Sequence, residues 1–483
     1  MSTRPLEPLS PEWWLKRLEA KLYERQGSLA AWDDYYDGNH PLPFLTQAHN
    51  AKMHDEFRRL LDESRSNFCR LVVDATEERL QVEGIRLSAQ SDAQADQASW
   101  DIWQANQMDQ ESATAILDAL VKGISYISVW PGEQPDDYPV MAVEDALETI
   151  VEYTPGTSYR QRDAALKIWE DTQAGVKRAN VYLRDGIYKF SAKDDRTKQQ
   201  RTSAYQYDPN QDDGLRWERL TDGKDFVGNP IGVVPIVPLR NRPRTRLEGQ
   251  SELKDVFRIQ NQINGFLFLL ALAGYFGAHK QRWAVGVKMM VDESGNAVEP
   301  FDISVDKMLT AEHPDVKFGE FSQTDLDGYI RAIEQKVLHI AVTTRTPRHY
   351  LIEQGQSPSG DAIKSAESGL IKKVERKQRP FGEGFEEALI LARRFQGDEL
   401  PPVDSEIVWA DAGTPTEAET TDAVIKKFQA NLIPREQALE DLGYSQTQIA
   451  RMMAQAQTDA LLNALTNPPP PETPSPQDVV PTA

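Results

Sequence analysis

The chain predicts an α+β fold, mainly helical, on three observations. Helix-start signals recur from Ser10-Pro11-Glu12 to Pro434. A block from Gly123 to about Phe190 switches to short β-branched and aromatic runs. One mid-chain stretch, GFLFLLALAGYFGA (265–278), is almost wholly apolar. At 483 residues the length suits roughly two to four domains, and 40% hydrophobic with 27% charged residues fits a globular chain. A net charge of −21 repels polyanions from most of the surface. That argues against a basic-patch reader of DNA, though not against a protein that guides DNA loosely. The single cysteine, Cys69, excludes an intrachain disulfide and reads as a small core residue.

Ser10 caps the first helix with Pro11 at its first position, and Trp14, Leu15, Leu18 and Leu22 form its apolar face. No apolar run precedes it, so no secretory leader is expected. The turn-rich DDYYDGNHPLPF (33–44) leads to a second helix around 56–78 and then RLQVEGIRL. ISYISVW, VMAVED, TIVEYT and ALKIWED read as strands, and VYLRDGIYKF places Asp185-Gly186 at a hairpin turn. Residues 191–230 are polar and irregular, a surface loop or loose hairpin, before IGVVPIVPLRNRPRT returns the chain extended.

A helix over 251–277 comes next, then a small β-rich insert with a DESGNA turn, and a helix ending near Thr344. The polar loop RTPRHYLIEQGQSPSG precedes a long helix, about 361–395, which Pro380 near Gly382 should bend. Thr414-Pro415-Thr416-Glu417 is a capping box, Pro434 and Gly443 bracket another helix, and Ser445 with Gln448 starts a third. The terminal NPPPPETPSPQDVVPTA has the composition of a disordered tail.

The apolar stretch 265–278 is short of the roughly 20 residues a bilayer requires. A helix apolar on all sides lies either in lipid or against neighbours on every side, and burial, including burial against another subunit, is the expectation here. GQSPSGDAIKS (355–365) looks like a phosphate-cradling loop, but Asp361 follows Gly360 where a nucleotide-binding lysine would stand, and Lys364-Ser365 falls nearly a turn late. It reads instead as a helix start, capped by Ser359 or Asp361. From 343 to 379 eight cations face four acids, a basic island suited to transient contact with a nucleic-acid backbone or simply a solvated face. The seven histidines show no metal-ligand spacing, and no nucleophile elbow appears. No cofactor or metal is expected, and nothing points to an enzyme.

Several stretches in order resemble the portal proteins of tailed bacteriophages, especially the siphophage type found in phages of actinobacteria. They are YYDGNHPLPF, SRSNFCRLVVDATEERLQVEGIRL, NRPRTRLEGQSEL, QRWAVG, PSGDAIKSAESGLIKKVERKQRPFG and LIPREQALEDLGYS. The resemblance implies a ring, usually a dodecamer, at one capsid vertex of the virion, assembled in the host cytoplasm. It also implies a channel for packaging and ejecting double-stranded DNA. Its implied partners are the terminase large subunit, a head–tail connector, and the major capsid and scaffolding proteins, with no membrane.

On that template residues 1–250 form a wing, joined by a return at 396–413. Residues 251–277 and 325–343 form stem helices, 278–324 a clip, 344–360 a tunnel loop, 361–395 a long kinked helix, and 414–465 a crown. Residues 466–483 are the disordered tail. Arg345, Arg348, Gln354, Gln356 and Ser357 would then face DNA from the tunnel loop; pairing of both arginines with neighbouring acids is the competing reading. Lys254, Arg331 and Lys336 would line the stem channel, and Trp283 would meet a clip partner unless it is local core. The alternatives are a packaging ATPase or nuclease, and a membrane-associated scaffold built on 265–278.

Overall fold

Ser10 accepts the Trp13 amide with its hydroxyl at 3.2 Å, and α1 (Pro11–Asp37) starts there and ends at Gly38, at φ 85°. This computed structural model describes residues 7–41, 55–86, 93–132, 134, 137–157, 159–193, 216–221, 225–245, 247–278, 282–285, 290–291, 297–298, 315–320, 325–352, 360–398, 406–413, 417–444, 448–449, 451–455 and 458. The helix expected over 56–78 is two helices, α2 (Asp55–Glu63) and α3 (Phe68–Glu77). The break has a local cause: Asn67 accepts the Cys69 and Arg70 amides, so its side chain starts a new helix. After β1 (Val82–Arg86) come α4 (Ala93–Ala105) and α5 (Met108–Lys122), two helices beyond those the sequence reading named.

The strand block follows as β2 (Ile124–Trp130), β3 (Val140–Glu144), β4 (Thr149–Tyr153), β5 (Arg162–Asp171), β6 (Val176–Tyr182) and β7 (Gly186–Lys193). Short β8 (Glu218–Arg219) and β9 (Phe226–Gly228) both pair with β7, and β10 (Ile236–Arg240) follows. Strands β4 to β8 make one antiparallel sheet, joined by β9, and β10-β2-β3 make another. The β6–β7 hairpin is where the sequence places it, but its turn is shifted by one residue. The Leu183 amide bonds the Gly186 carbonyl at 2.9 Å, so Arg184 and Asp185 fill the centre. Gly186 is required for closeness, since a Cβ there would strike the Phe226 ring.

Beyond β10 a 3₁₀ turn (Glu252–Asp255) leads into α6 (Phe257–Ala278). Four short strands follow: β11 (Arg282–Val285), β12 (Met290–Val291), β13 (Ala297–Val298) and β14 (Lys317–Glu320), paired β11–β14 and β12–β13. Then come α7 (Asp327–Thr344), the single turn α8 (Arg348–Leu351), α9 (Gly360–Phe395) and β15 (Glu406–Trp409). Helix α9 holds Pro380 in its interior, where the missing N–H leaves the Arg376 carbonyl without its helical donor. Strand β15 pairs antiparallel with β1, joining positions more than 300 residues apart.

The chain divides into two compact units, Met1–Ala412 and Gly413–Ala483. In the first, Trp14, Leu15, Leu18 and Leu22 of α1 bury against Leu166, Ile168, Val181 and Phe190 of the larger sheet, as their spacing predicts. The main core gathers Cys69, Trp103, Met108, Ile116, Leu239, Leu253, Phe381 and Phe385. Burial pushes the Cys69 thiol up to about 12, as suits a packing residue. The open edge of β3 is closed by a side chain: Asn106 donates to the Pro139 carbonyl and accepts from the Met141 amide, both at 2.8 Å. The second unit holds α10 (Glu417–Gln429) and α11 (Arg435–Asp441), with Val424, Ala438 and Ile449 buried and Gly443 at φ 86° ending the turn after α11.

A pair of glycines sets the approach of the chain before the 3₁₀ turn to the start of β2. A Cβ on Gly249 would drive into the Gly123 carbonyl oxygen, which is backbone and cannot step aside, whereas one on Gly384 meets chiefly the end of the Leu239 side chain. Gly249→Ala should therefore cost about 1–3 kcal/mol in urea unfolding, and Gly384→Ala less. Equal costs would refute that distinction.

Candidate functional site

Two long helices, the loop after them and a third helix compose the region where the sequence reading concentrates its candidates. The first corrects an expectation. Residues 252–255 are 3₁₀, capped by Ser251 on the Leu253 amide at 3.0 Å, so the helix predicted over 251–277 is a tight turn followed by α6.

Buried amides hold the front of α6. Gln260 accepts the Phe68 amide at 2.9 Å and donates to the Ser66 carbonyl at 2.6 Å and to Asn264 Oδ1 at 3.0 Å. Asn264 also accepts the Ser66 amide at 3.1 Å and donates to His40 Nδ1 at 2.9 Å, which leaves the His40 Nε2–H to meet the Tyr35 carbonyl at 3.1 Å. Burial holds the His40 pKa below its ordinary value; the Tyr35 carbonyl opposes this and Arg65 adds to it.

The back half of α6 is different. Ile263 is buried and Leu267 packs on the main core, but residues 266–274 are only half-covered and Tyr275 is 44% exposed. Helix α7 packs along α6 and exposes Ile330 and, at 79%, Val342. Among the described residues no helix is long and apolar enough to cross a membrane. An apolar stretch of this kind on a single chain is a surface awaiting cover.

At the head of α6, Glu252 is encircled. Its carboxylate meets Arg242 Nε at 2.8 Å, Lys373 Nζ at 2.9 Å, and Lys377, which also donates to Asn241. Burial pushes this carboxyl up, yet Lys373, Lys377 and Arg242 together hold it well below the usual carboxylate range. The same burial lowers Lys377 to about 8 against the pull of Glu252, and lowers Lys373 as well. This corrects the basic-island reading: Lys373 and Lys377 are buried ion-pair partners, and Lys372 pairs with Glu375 on the surface.

Arg345 is the left-handed C-cap of α7, at φ 58°, a position costing roughly 1 kcal/mol for a residue with a Cβ. Its amide and that of Thr346 both bond the Ala341 carbonyl, and Thr344 bonds the Ile340 carbonyl at 2.7 Å. Arg345 and Arg348 are exposed and form no ion pair with a described acid, while the neighbouring Glu353 lies outside the described residues. The turn between them and α9 is tied down nearby. Arg79 bonds Tyr350 Oη at 2.7 Å, Glu367 at 3.3 Å and the Ala412 carbonyl at 2.7 Å, and Tyr350 bonds Glu367 at 3.1 Å.

Gln354, Gln356 and Ser357 lie outside the described residues, as do the proline tail and most of the DESGNA turn. Lys254 is exposed on the 3₁₀ turn. Arg331 is exposed on α7 and Lys336 half-covered, and their five-residue spacing sets them about 140° apart, so they do not share a face. Trp283 stands in β11 opposite Gly319 of β14. The Glu252 cluster is what sequence reasoning missed, since its lysines lie more than 120 positions from Glu252 and Arg242 in the chain. Among the described residues no group of side chains is arranged to hold a metal.

Comparison with known proteins adds the following. The family described as "Phage portal protein, SPP1 Gp6-like" matches residues 15–460. A portal protein of Mycobacterium phage D29 is 33% identical over 398 residues, 78% of this chain and 75% of its own length. A portal protein of Mycobacterium phage L5 is 32% identical over 437 residues, 86% of this chain and 82% of its own.

Proposed function

The chain belongs to the SPP1 Gp6-like phage portal protein family, and from that we propose that its copies close into a ring, twelve the expected number, at one vertex of a virion capsid. Duplex DNA enters and leaves through the ring's axis. In this reading residues 1–250 with 396–413 are the wing, 251–277 and 325–343 the stem, 278–324 the clip, 344–360 the tunnel loop, 361–395 the long helix, and 414–465 the crown. The clip and crown are where a terminase, a head–tail connector and capsid or scaffolding proteins would dock, with Trp283 a clip contact. A separate terminase ATPase would supply the energy of translocation.

The observation that carries the reading is the half-covered apolar back of α6. In a head-to-tail ring each copy buries two different faces, so a helix apolar all round finds cover without lipid. An acidic wall with sparse cations suits passage, because each neutralised phosphate adds to affinity and would retard a moving polyanion. Arg345 and Arg348 supply such sparse cations, with Gln354, Gln356 and Ser357 beside them in the loop. Lys254, Arg331 and Lys336 are the stem candidates, Arg331 and Lys336 on separate faces of α7.

Negative-stain electron microscopy of the purified protein tests the ring: particles with a central hole are expected, and monomers or filaments at every concentration would overturn it. Arg345→Ala with Arg348→Ala should lower DNA packaging or retention about tenfold while leaving rings intact. Undiminished packaging would remove the loop from the DNA path.

A further inference from the structure

Glu252 brings one negative charge to a cluster in which Arg242, Lys373 and Lys377 bring three positive ones. The excess is held where solvent cannot dissipate it: the lysine side chains are 5% and 4% exposed, and only Arg242, at 40%, reaches the surface. Lys377 and Arg242 are satisfied, the first by Asn241 and Glu252, the second by bonds from Nε and Nη2 to Glu252. Lys373 is not. Its ammonium lies 2.9 Å from Glu252 but out of line for a hydrogen bond and, among the described residues, has no other acceptor. Arg345 stands close enough to press on Lys373 with a further positive charge. A buried ammonium whose one partner is a carboxylate shared among three cations is costly unless something adds to it.

Resting on the ring reading, we propose that Arg242 and Lys373 form an anion site completed in trans, taking a carboxylate side chain of a second copy of this chain. The chemistry is that of a guanidinium, held to Glu252 along one edge and half-exposed on the other, backed by an ammonium, which suits a carboxylate. A duplex is too broad to bring a phosphate to a side chain as recessed as Lys373. A second copy is a ready source, with 75 acidic against 54 basic residues. A heterologous contact also brings a different face of the neighbour to this cationic notch. The neighbour's carboxylate would lock the contact at the point where α9 meets the head of α6.

Cryo-electron microscopy of assembled full-length rings tests this. A carboxylate oxygen of the adjacent copy within about 4 Å of Arg242 or Lys373 is expected. Rings in which that position holds a phosphate, a free anion, another group or nothing overturn the inference while leaving the ring reading standing. Absence of rings from the unaltered chain overturns both. In solution, Arg242→Gln should lower the ring fraction about tenfold by mass photometry at low salt, with the deficit shrinking toward 1 M salt, where charges are screened within about 3 Å. Arg242→Lys, which keeps the charge, should retain rings. Equal ring fractions for Arg242→Gln and the unaltered chain also overturn it.

Discussion

Glu252→Gln is expected to destabilise the first unit by about 3–5 kcal/mol, because it leaves two buried lysines and a half-exposed arginine around a neutral amide. The loss stays in that range because a lysine can escape by shedding its proton, a step Lys377 is already biased toward. The pH dependence follows from the signs. The Glu252 carboxyl is held far below its ordinary 4.5, so its contribution is full above that pH and declines as pH falls through and below it. Lys377 sits at about 8 against 10.5 in the unfolded chain. Between those values the unfolded state keeps a proton the folded state has released, so this group's share of stability rises with pH. Urea unfolding of both proteins from pH 4 to 10 reads all three effects. A Glu252→Gln loss below about 1 kcal/mol would show that the cluster does not hold the segments together.

Leu269→Glu with Leu272→Glu should abolish ring formation at micromolar concentration while leaving the single chain's thermal midpoint nearly unchanged. Both leucines fall on the side of α6 opposite the packed Ile263 and Leu267 and stay half-exposed in the single chain, so the isolated fold leans on them little. Removing two buried leucines from each contact forfeits roughly 3 kcal/mol, more than a hundredfold, before the cost of burying carboxylates is added. Size-exclusion chromatography with light scattering distinguishes rings from single chains. Persistent rings would place the subunit contact elsewhere and leave α6 unexplained.

Local signals were the legible ones. Ser10, the apolar spacing of α1, the strand alternation and the β6–β7 hairpin act over a few residues, and each can be read in place. Where a side chain competes with that pattern the reading slips, as at Asn67, which starts a new helix four residues after α2 ends, and at Gly186, whose reason is the distant Phe226 ring. The candidate site was legible only as a region. Lys373 and Lys377 look identical to surface lysines in sequence, and nothing near them announces that Glu252, more than 120 positions earlier, has claimed both. Arg345 and Arg348 could be singled out from sequence as candidates because cations beside a helix end need no distant partner to be noticed.

The amide belt at the front of α6 has a mechanical consequence. Hydrogen bonds from Gln260 and Asn264 are directional and converge on fixed points, Ser66, Phe68 and His40. A greasy contact would let the rod spin in its socket; these bonds key it like a splined shaft, and a twist by one residue, about 100°, breaks them together. Torque applied at the far end of the rod is thus handed to the body of the subunit instead of being lost to idle rotation.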